Sequence, residues 1–389
     1  MEVYILDGLL RRETLIDKFE SLIWTERMRA YGDFEMALHS TVENRTRFPV
    51  GTRLSMNESD RVMTVETIED TTDSEGKLIL KIKGRSLEAI LLDRIAKSNL
   101  TDLTTEPKWV ITDTPGDIAR KIFHDICVLG LLDPGDVIPF IVEGTIYPTN
   151  TIPEPTEIIT AEIDLTTVYD AIKNLCDVYD MGFRFVRDLD TSQVYWDIYM
   201  GSDRTSQQIT LPAVIFAPDL DNLQNTTEFT TTAFYKNVVY VFSPVGVEVV
   251  YPLDVNPLVE GFERRALFIK AEDITDTIPA DATAKMIQRG KEALAGARRF
   301  QAFDGELNRN SEYKYGIHYR LGDLIELRSE TGAVTTMQVT EQIFVSDREG
   351  ERSYPTLTIR SFITPGSWLI WAYQVWEDLG VTEYWEDQP

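Results

Sequence analysis

Three histidines are the residues most suited to holding a catalytic metal, because imidazole nitrogens are common zinc ligands. They are His39, His124 and His318. None lies in an HExxH, HxH or HxxH spacing, so the sequence offers no local pair of zinc ligands. His124 stands beside Asp125 in a helical pattern and is predicted to be a partly exposed helix residue. We therefore predict no metal site.

Closely spaced carboxylates could act as the acid and base of a glycoside hydrolase. Asp177 with Asp180, and Glu154 with Glu157, have such spacings. The chain contains 64 Asp and Glu residues, so pairs of this kind are expected by chance. We predict that both pairs belong to solvated faces and assign neither to catalysis.

Other motifs of enzyme and ligand sites are incomplete or missing. Asp188-Leu189-Asp190 begins like an EF-hand calcium loop but lacks the Gly and Glu that should follow. The sequence has no GxSxG elbow and no Gly-rich loop ending in GK[ST]. The basic stretch Arg289–Arg299 is too short and too poor in aromatic residues for a nucleic-acid groove. We predict no catalytic residue, no cofactor-binding residue and no enzyme activity.

The charge of the chain argues against a nucleic-acid-binding protein. The formal net charge is −26 over 389 residues, and the carboxylates are spread along the whole length. A protein that binds the phosphate backbone needs a basic face, which could here be only local. The length suits two to four domains. Cys127 and Cys176 lie in apolar helical patterns and are predicted to be buried free thiols.

The sequence shows neither a secretion signal nor a membrane span. The N-terminus lacks a basic region followed by an apolar one. No apolar run approaches the roughly 18–20 residues needed to cross a bilayer. We expect a soluble protein that is made in a cytoplasm.

Changes in hydrophobic periodicity predict a β-rich α+β protein. We expect two related small β-barrel domains, an α+β domain and a helical insertion. The predicted domains are a first barrel (1–85), a helical and α+β domain (86–215), a second barrel (216–243 with 304–363), an insertion with a helix (244–303) and a Trp-rich acidic C-terminal segment (364–389).

One strand–turn–strand pattern occurs twice in the sequence. Each copy has an apolar residue and a Gly, a strand-like run, a polar turn and a second strand of the form Met-x-Val that ends in Ile. The copies are Val50–Met56 with Met63–Ile68, and Leu321–Leu327 with Met337–Ile343. A third strand follows each copy. The matched order favours duplication of one β module over two unrelated hairpins.

Two further stretches bear on this arrangement. Lys236–Phe242 resembles Gly32–Leu38, since each has a turn residue followed by an alternating strand, and it is predicted to be a strand of the second barrel. Thr114, Pro115 and Asp117 form a helix-start signal inside the α+β domain.

Several of these stretches together resemble the tail-tip hub proteins of long-tailed bacteriophages, also called tail-associated or minor tail proteins. The resemblance is strongest over residues 1–100 and 305–363. The stretches that carry it are Ile23–Arg27, Tyr31–Glu35, Gly51, Arg61–Glu66, Lys83–Leu87 and Tyr319–Asp323.

The resemblance implies a structural virion protein at the tail tip, assembled in the host cytoplasm. In such hubs, which are similar to the baseplate hubs of contractile tails, two barrels of each chain lie side by side and three chains close a ring. The homotrimer would match the hexameric tail tube and contact the distal tail protein, the tape-measure protein and a downstream tip or fibre protein. DNA would pass through its channel in transit, and carboxylates facing that channel would repel it.

Two other functions remain open at this point. A tail-associated carbohydrate-binding or cell-wall glycan-cleaving protein would use tryptophans and paired carboxylates. A hub of a bacterial contractile injection particle would share the barrels. Trp368, Trp371, Trp376 and Trp385 form either a docking surface or a C-terminal helix packed on its own domain.

Overall fold

The structure is a computed structural model, and it divides into two compact units. One unit comprises residues 1–176, 181–228 and 303–360, and the other contains 177–180 and 229–302. The residues described are 1–16, 18–72, 76–98, 108–147, 150–233, 235–251, 259–275, 278–297, 300–307, 312–328, 334–348 and 350–359. The C-terminal segment predicted at 364–389 lies outside the described residues.

Short strands make up most of the first ninety residues. They bury alternate side chains, as the period of two predicts; in the fourth strand Phe34, Met36 and Leu38 face the core. One short helix, α1 (Val42–Arg47), interrupts them. The strands are β1 (Val3–Leu6), β2 (Arg12–Ile16), β3 (Ser21–Arg27), β4 (Asp33–His39), β5 (Arg53–Met56), β6 (Val62–Thr72) and β7 (Leu78–Ser86).

Helices and short sheets follow β7. A 3-10 turn at Leu87–Asp93 leads into this part, and α2 starts where the sequence predicts, since the Thr114 hydroxyl accepts a hydrogen bond from the Asp117 N–H. Cys127 and Cys176 are buried free thiols, as predicted. The elements are β8 (Trp109–Asp113), α2 (Pro115–Phe123), β9 (Ile141–Glu143), β10 (Ile159–Ile163), α3 (Val168–Tyr179), β11 (Gly182–Arg187) and β12 (Val194–Tyr199).

The last part of the chain is again rich in strands. Among the described residues, no helix has the length and apolar composition needed to cross a bilayer. The elements are β13 (Ile215–Phe216), β14 (Leu223–Thr231), β15 (Val238–Ser243), β16 (Gly246–Val250), β17 (Ala266–Lys270), α4 (Pro279–Gly296), β18 (Phe300–Leu307), β19 (Leu324–Arg328), β20 (Val334–Asp347) and β21 (Gly350–Ile359). The predicted β-rich α+β class is confirmed.

Thirteen strands form one large sheet. Eleven of them follow the order β14-β18-β21-β20-β3-β4-β7-β6-β5-β1-β2, while β19 pairs with β20 and β13 pairs with β19. Within the described residues this path stays open, so the predicted closed barrels are not found there. The reason is that β20, from late in the chain, pairs with β3, from early in the chain, and makes the two predicted barrels one continuous sheet.

A smaller sheet belongs to the second unit and corrects one prediction. Its order is β16-β15-β17, and α4 packs against it. The strand predicted for the second barrel at Lys236–Phe242 is β15, which lies here instead. Val239 and Val241 bury their side chains with Ala282 and Met286 of α4, and this contact holds the strand in the smaller sheet.

Candidate functional site

The three histidines lie in different segments of the chain, and two of them make side-chain contacts of an ordinary structural kind. His124 contacts the Glu143 carboxylate through Nδ1 at 2.7 Å on a half-exposed surface. The His318 Nδ1 accepts the Lys314 N–H at 2.8 Å, and the His39 carbonyl accepts a hydrogen bond from an asparagine side chain. In the part of the chain that the structure describes, no three His, Cys, Asp or Glu residues come close enough to share a metal ion.

The carboxylate pairs do not form a hydrolase site either. Asp177 and Asp180 are only 6% and 9% exposed, so the prediction of a solvated face is wrong for this pair. They lie at the end of α3, where the chain turns inward through a left-handed Asp180. Glu154 is held by both terminal nitrogens of Arg120, at 2.9 and 2.6 Å, while Glu157 is exposed. Glu154 is therefore an ion-pair partner.

The incomplete calcium motif is the turn between β11 and β12. The Asp188 carboxylate accepts the Asp190 N–H at 2.9 Å and the Thr191 hydroxyl at 2.5 Å. The hydrogen bond from the Thr191 hydroxyl, and next that from the Asp190 N–H, lower the pKa of Asp188. The carboxylate thus stabilises a hairpin turn.

A buried charge cluster joins four distant segments of the first unit. We use this name for Glu26, Ser59, Arg61, Glu88 and Tyr315. Glu26 accepts hydrogen bonds from the Tyr315 hydroxyl at 2.8 Å and from the Ser59 hydroxyl. Arg61 donates to Glu88 and has its Nε 4.0 Å from Glu26. The segments are β3, the loop before β6, the 3-10 turn after β7 and the stretch before β19.

The buried charge cluster is closed to solvent, with Glu26, Arg61 and Glu88 at most 3% exposed. Burial is the main cause that raises the pKa of Glu26 to about 7, while Arg61, Ser59 and Tyr315 oppose it. A side chain with no exposed surface cannot touch a substrate, so the cluster is a cross-link inside the fold. Sequence reasoning missed it, although Leu22, Trp24 and Glu26 alternate on the inward face of β3.

The protonation of Glu26 predicts a pH-dependent stability. The pKa of Glu26 in the folded chain lies above its unfolded value near 4.5. The stabilisation that comes from protonated Glu26 is therefore fully present below pH 4.5 and is lost as the pH rises through 7. The free energy of unfolding should fall by roughly 2–3 kcal/mol between pH 5 and pH 8. In Glu26→Gln this slope should flatten in urea titrations at several pH values. The exposed control Glu43→Gln should keep the wild-type slope; an unchanged slope in Glu26→Gln would assign it to another group.

The repeated stretches have the same backbone geometry. Gly51 and Gly322 both lie in the left-handed region, with φ of 91° and 90°, two residues before β5 and β19. Each glycine N–H donates to a valine carbonyl of the next strand: Val65 at 2.8 Å and Val339 at 2.7 Å. Both valine N–H groups donate back to the residue after the glycine. The two glycines are turn residues at strand starts.

The likeness continues into the neighbouring strands. The register shifts between Val65 and Thr67 where β6 pairs with β7, and between Val339 and Glu341 where β20 pairs with β21. A β-bulge therefore follows the same valine in both copies. We call β3 to β7 the first module and β14 with β18 to β21 the second module. The order in the first is β3-β4-β7-β6-β5, and in the second β14-β18-β21-β20-β19.

Comparison with known proteins agrees with this geometry. A family model for the Siphovirus ReqiPepy6 Gp37-like protein matches residues 2–358. The chain belongs to this family. No curated protein sequence matches it.

Solved structures of tail proteins share the fold of this family member. The 43 kDa tail protein of prophage MuSo2 from Shewanella oneidensis is 13% identical with a TM-score of 0.55, covering 92% of this chain and 96% of its own. A tail protein from Neisseria meningitidis MC58 is 11% identical with a TM-score of 0.57, covering 94% and 99%. The chain is therefore a Gp37-like protein that has the fold of these tail proteins.

The second unit has an aromatic surface that faces solvent. Tyr240, Phe242 and Phe268 line an open groove of about 750 Å³ together with Lys270 and Glu272. Phe268 is 66% exposed and Phe242 is 44% exposed. One carboxylate among aromatic rings can orient a ligand but does not supply the acid and base pair of a glycosidase.

Proposed function

We propose that this Gp37-like protein is the homotrimeric hub at the tip of a phage tail. The proposal rests on the similarity of the two modules. Both have a left-handed glycine before the same strand, a β-bulge after the same valine and the same order of strands. A chain with two like modules presents six of them as a trimer. Six modules can match a six-fold tube on one side, while three whole chains match a three-fold tip on the other.

In this function the modules form the ring, with the open sheet of each chain as its building block. The α+β domain at 86–215 lies outside the ring. The hub joins the tail tube and distal tail protein to a downstream tip or fibre protein and also contacts the tape-measure protein. Carboxylates in the channel, drawn from a chain of net charge −26, keep DNA from sticking as it passes.

The mass and symmetry of the assembled particle test this proposal. We expect the chain with its distal tail protein to form a particle that contains three copies, with six equivalent modules around the axis. Mass photometry gives the number of copies, and a reconstruction by electron microscopy gives the symmetry. A particle with six copies, or a chain that stays monomeric beside the distal tail protein, would contradict the hub.

The second candidate is a tail-associated carbohydrate-binding protein. The exposed rings of Phe242 and Phe268 favour it, because sugar rings pack on aromatic faces exposed in this way. Turnover of cell-wall glycans by the purified chain would point to cleavage, and saturable glycan binding that is lost in Phe268→Ala would point to binding alone.

A further inference from the structure

The contact between the two modules is a strand pairing. The β20 strand of the second module runs antiparallel to β3, the first strand of the first module, from Glu341 opposite Arg27 to Ser346 opposite Leu22. The Met28 N–H extends the ladder to the Thr340 carbonyl at 2.9 Å. The second half of β20, in the second module, therefore pairs with β3, the opening strand of the first module.

The strand of the first module that corresponds to β20 is β6. Among the described residues, the second half of β6 has no partner strand on its outer edge. Counted from the shared bulge, Thr67–Thr72 of β6 corresponds to Glu341–Ser346 of β20. In β20 this stretch buries Gln342, Phe344 and Val345. In β6 it has exposed or half-exposed side chains throughout, and within the described residues no strand pairs with it on the edge away from β7.

The complementary edge is β14, at one end of the sheet path. β14 of the second module corresponds to β3 of the first module, because each is the first strand in the matching strand orders of the two modules. In the described chain β14 pairs with β18 and ends the sheet path. Among the described strands, the Thr67–Thr72 stretch of β6 and the outer edge of β14 are therefore both unpaired, and they correspond to the two halves of the contact that β20 and β3 make within the chain.

We propose that Thr67–Thr72 of one copy pairs antiparallel with β14 of a second copy of this chain. This inference rests on the ring of the proposed function and names the contact that would close it. The contact is heterologous, with different surfaces on the two copies, so it leads around a ring. It extends the sheet by the same pairing that β20 and β3 make within the chain.

The backbone groups for this pairing are already turned outward. The Thr340 carbonyl faces β3, and strand positions two apart face the same edge, so Gln342, Phe344 and Ser346 also face β3. Their counterparts are Ile68, Asp70 and Thr72, whose N–H and C=O groups face the uncovered edge. Glu69 is an exposed charge on this stretch, while Glu66 and Asp70 are paired with Arg85 and Arg45. Charged residues of this kind disfavour pairing with unrelated apolar strands.

The sequence sets the register of the proposed pairing. Thr25-Glu26 of β3 recurs as Thr227-Glu228 in β14. Within the chain Thr25 lies opposite Ile343, whose counterpart in the first module is Glu69. Glu69 of one copy should therefore lie opposite Thr227 of the next.

Disulfide trapping tests this register. In the Glu69→Cys/Thr227→Cys chain, mild oxidation should produce covalent trimers that run as one band and revert on reduction. The single variants should give no such trimers. The matched control is Thr25→Cys/Ile343→Cys, in which the equivalent pair lies inside one chain, so oxidation should give an internal disulfide in a chain of monomer mass. Both native cysteines are buried and remain in place.

Hydrogen exchange supplies a second readout on the unmodified chain. The Ile68 and Asp70 amides should exchange at least tenfold more slowly in the assembled particle than in the dilute monomer, while the amides of Glu43 and Arg45 in α1 should not change. A three-copy particle without the 69–227 cross-link and without this protection would overturn the strand pairing and leave the hub intact. Covalent dimers or open polymers in place of trimers would overturn ring closure by this contact.

Discussion

Replacing Arg61 with methionine is expected to destabilise the first unit by about 3–5 kcal/mol, because it removes the cation from the buried charge cluster. Glu88 would lose its ion pair, and Glu26 would lose the neighbouring charge that holds down its raised pKa. Neither carboxylate can reach water, since both are buried. Urea-induced unfolding, followed by tryptophan fluorescence and circular dichroism, measures the loss.

The control for Arg61→Met is the same change at an exposed ion pair. Arg47 pairs with Glu43 one turn earlier in α1, with 41% and 70% of the two side chains exposed. Arg47→Met should cost less than about 1 kcal/mol. Adding Glu88→Gln to Arg61→Met should recover part of the lost stability, because the orphaned negative charge is then removed. Equal losses at both arginines would contradict a special role for the buried charge cluster.

Gly84→Ala is expected to be the second severe change, with a loss of about 2–3 kcal/mol or more. Gly84 pairs with Val65 next to the bulge in β6, and a Cβ there would lie 1.8 Å from the Thr64 carbonyl oxygen. That oxygen belongs to the backbone, so the alanine forces β6 and β7 apart instead of turning a side chain aside. Thermal unfolding of the purified variant measures the effect.

Gly8→Ala is the matched control for Gly84→Ala, because a Cβ at Gly8 meets no atom within 4 Å. It should leave the melting temperature within a degree or two of the wild type. A Gly84→Ala chain as stable as Gly8→Ala would show that β6 and β7 separate at no cost. The second module has Leu357 at the position of Gly84, where the leucine is buried in the core. The close approach is therefore a property of the first module.

Local patterns predicted local structure well. The Thr114 cap and the glycine-led hairpins need only a few neighbouring residues to form, and the sequence located them. The burial of Asp177 and Asp180 was not predicted, because the periodicity of α3 does not tell how many of its faces are covered. The alternation in β15 identified a strand correctly but could not tell which sheet would receive it.

Contacts between segments that are far apart in the sequence could not be predicted. Glu26, Arg61 and Glu88 are separated by tens of residues, so no spacing rule brings them together. Strand alternation likewise shows which face of a strand is buried but not which edge is paired. For that reason two closed barrels were predicted where the described residues form one open sheet through β20 and β3.

The pairing of β20 with β3 has a consequence for the assembly of the proposed ring. Because both strands belong to one polypeptide, each meets its partner at an effective concentration that the connecting chain keeps high, whatever the dilution. The same kind of edge contact between separate copies has no such tether and forms only as the chains accumulate. Half of the joints in a six-module ring would thus be completed when each chain folds. The other half would depend on the concentration of free chains, so that the amount of this protein would set when rings close.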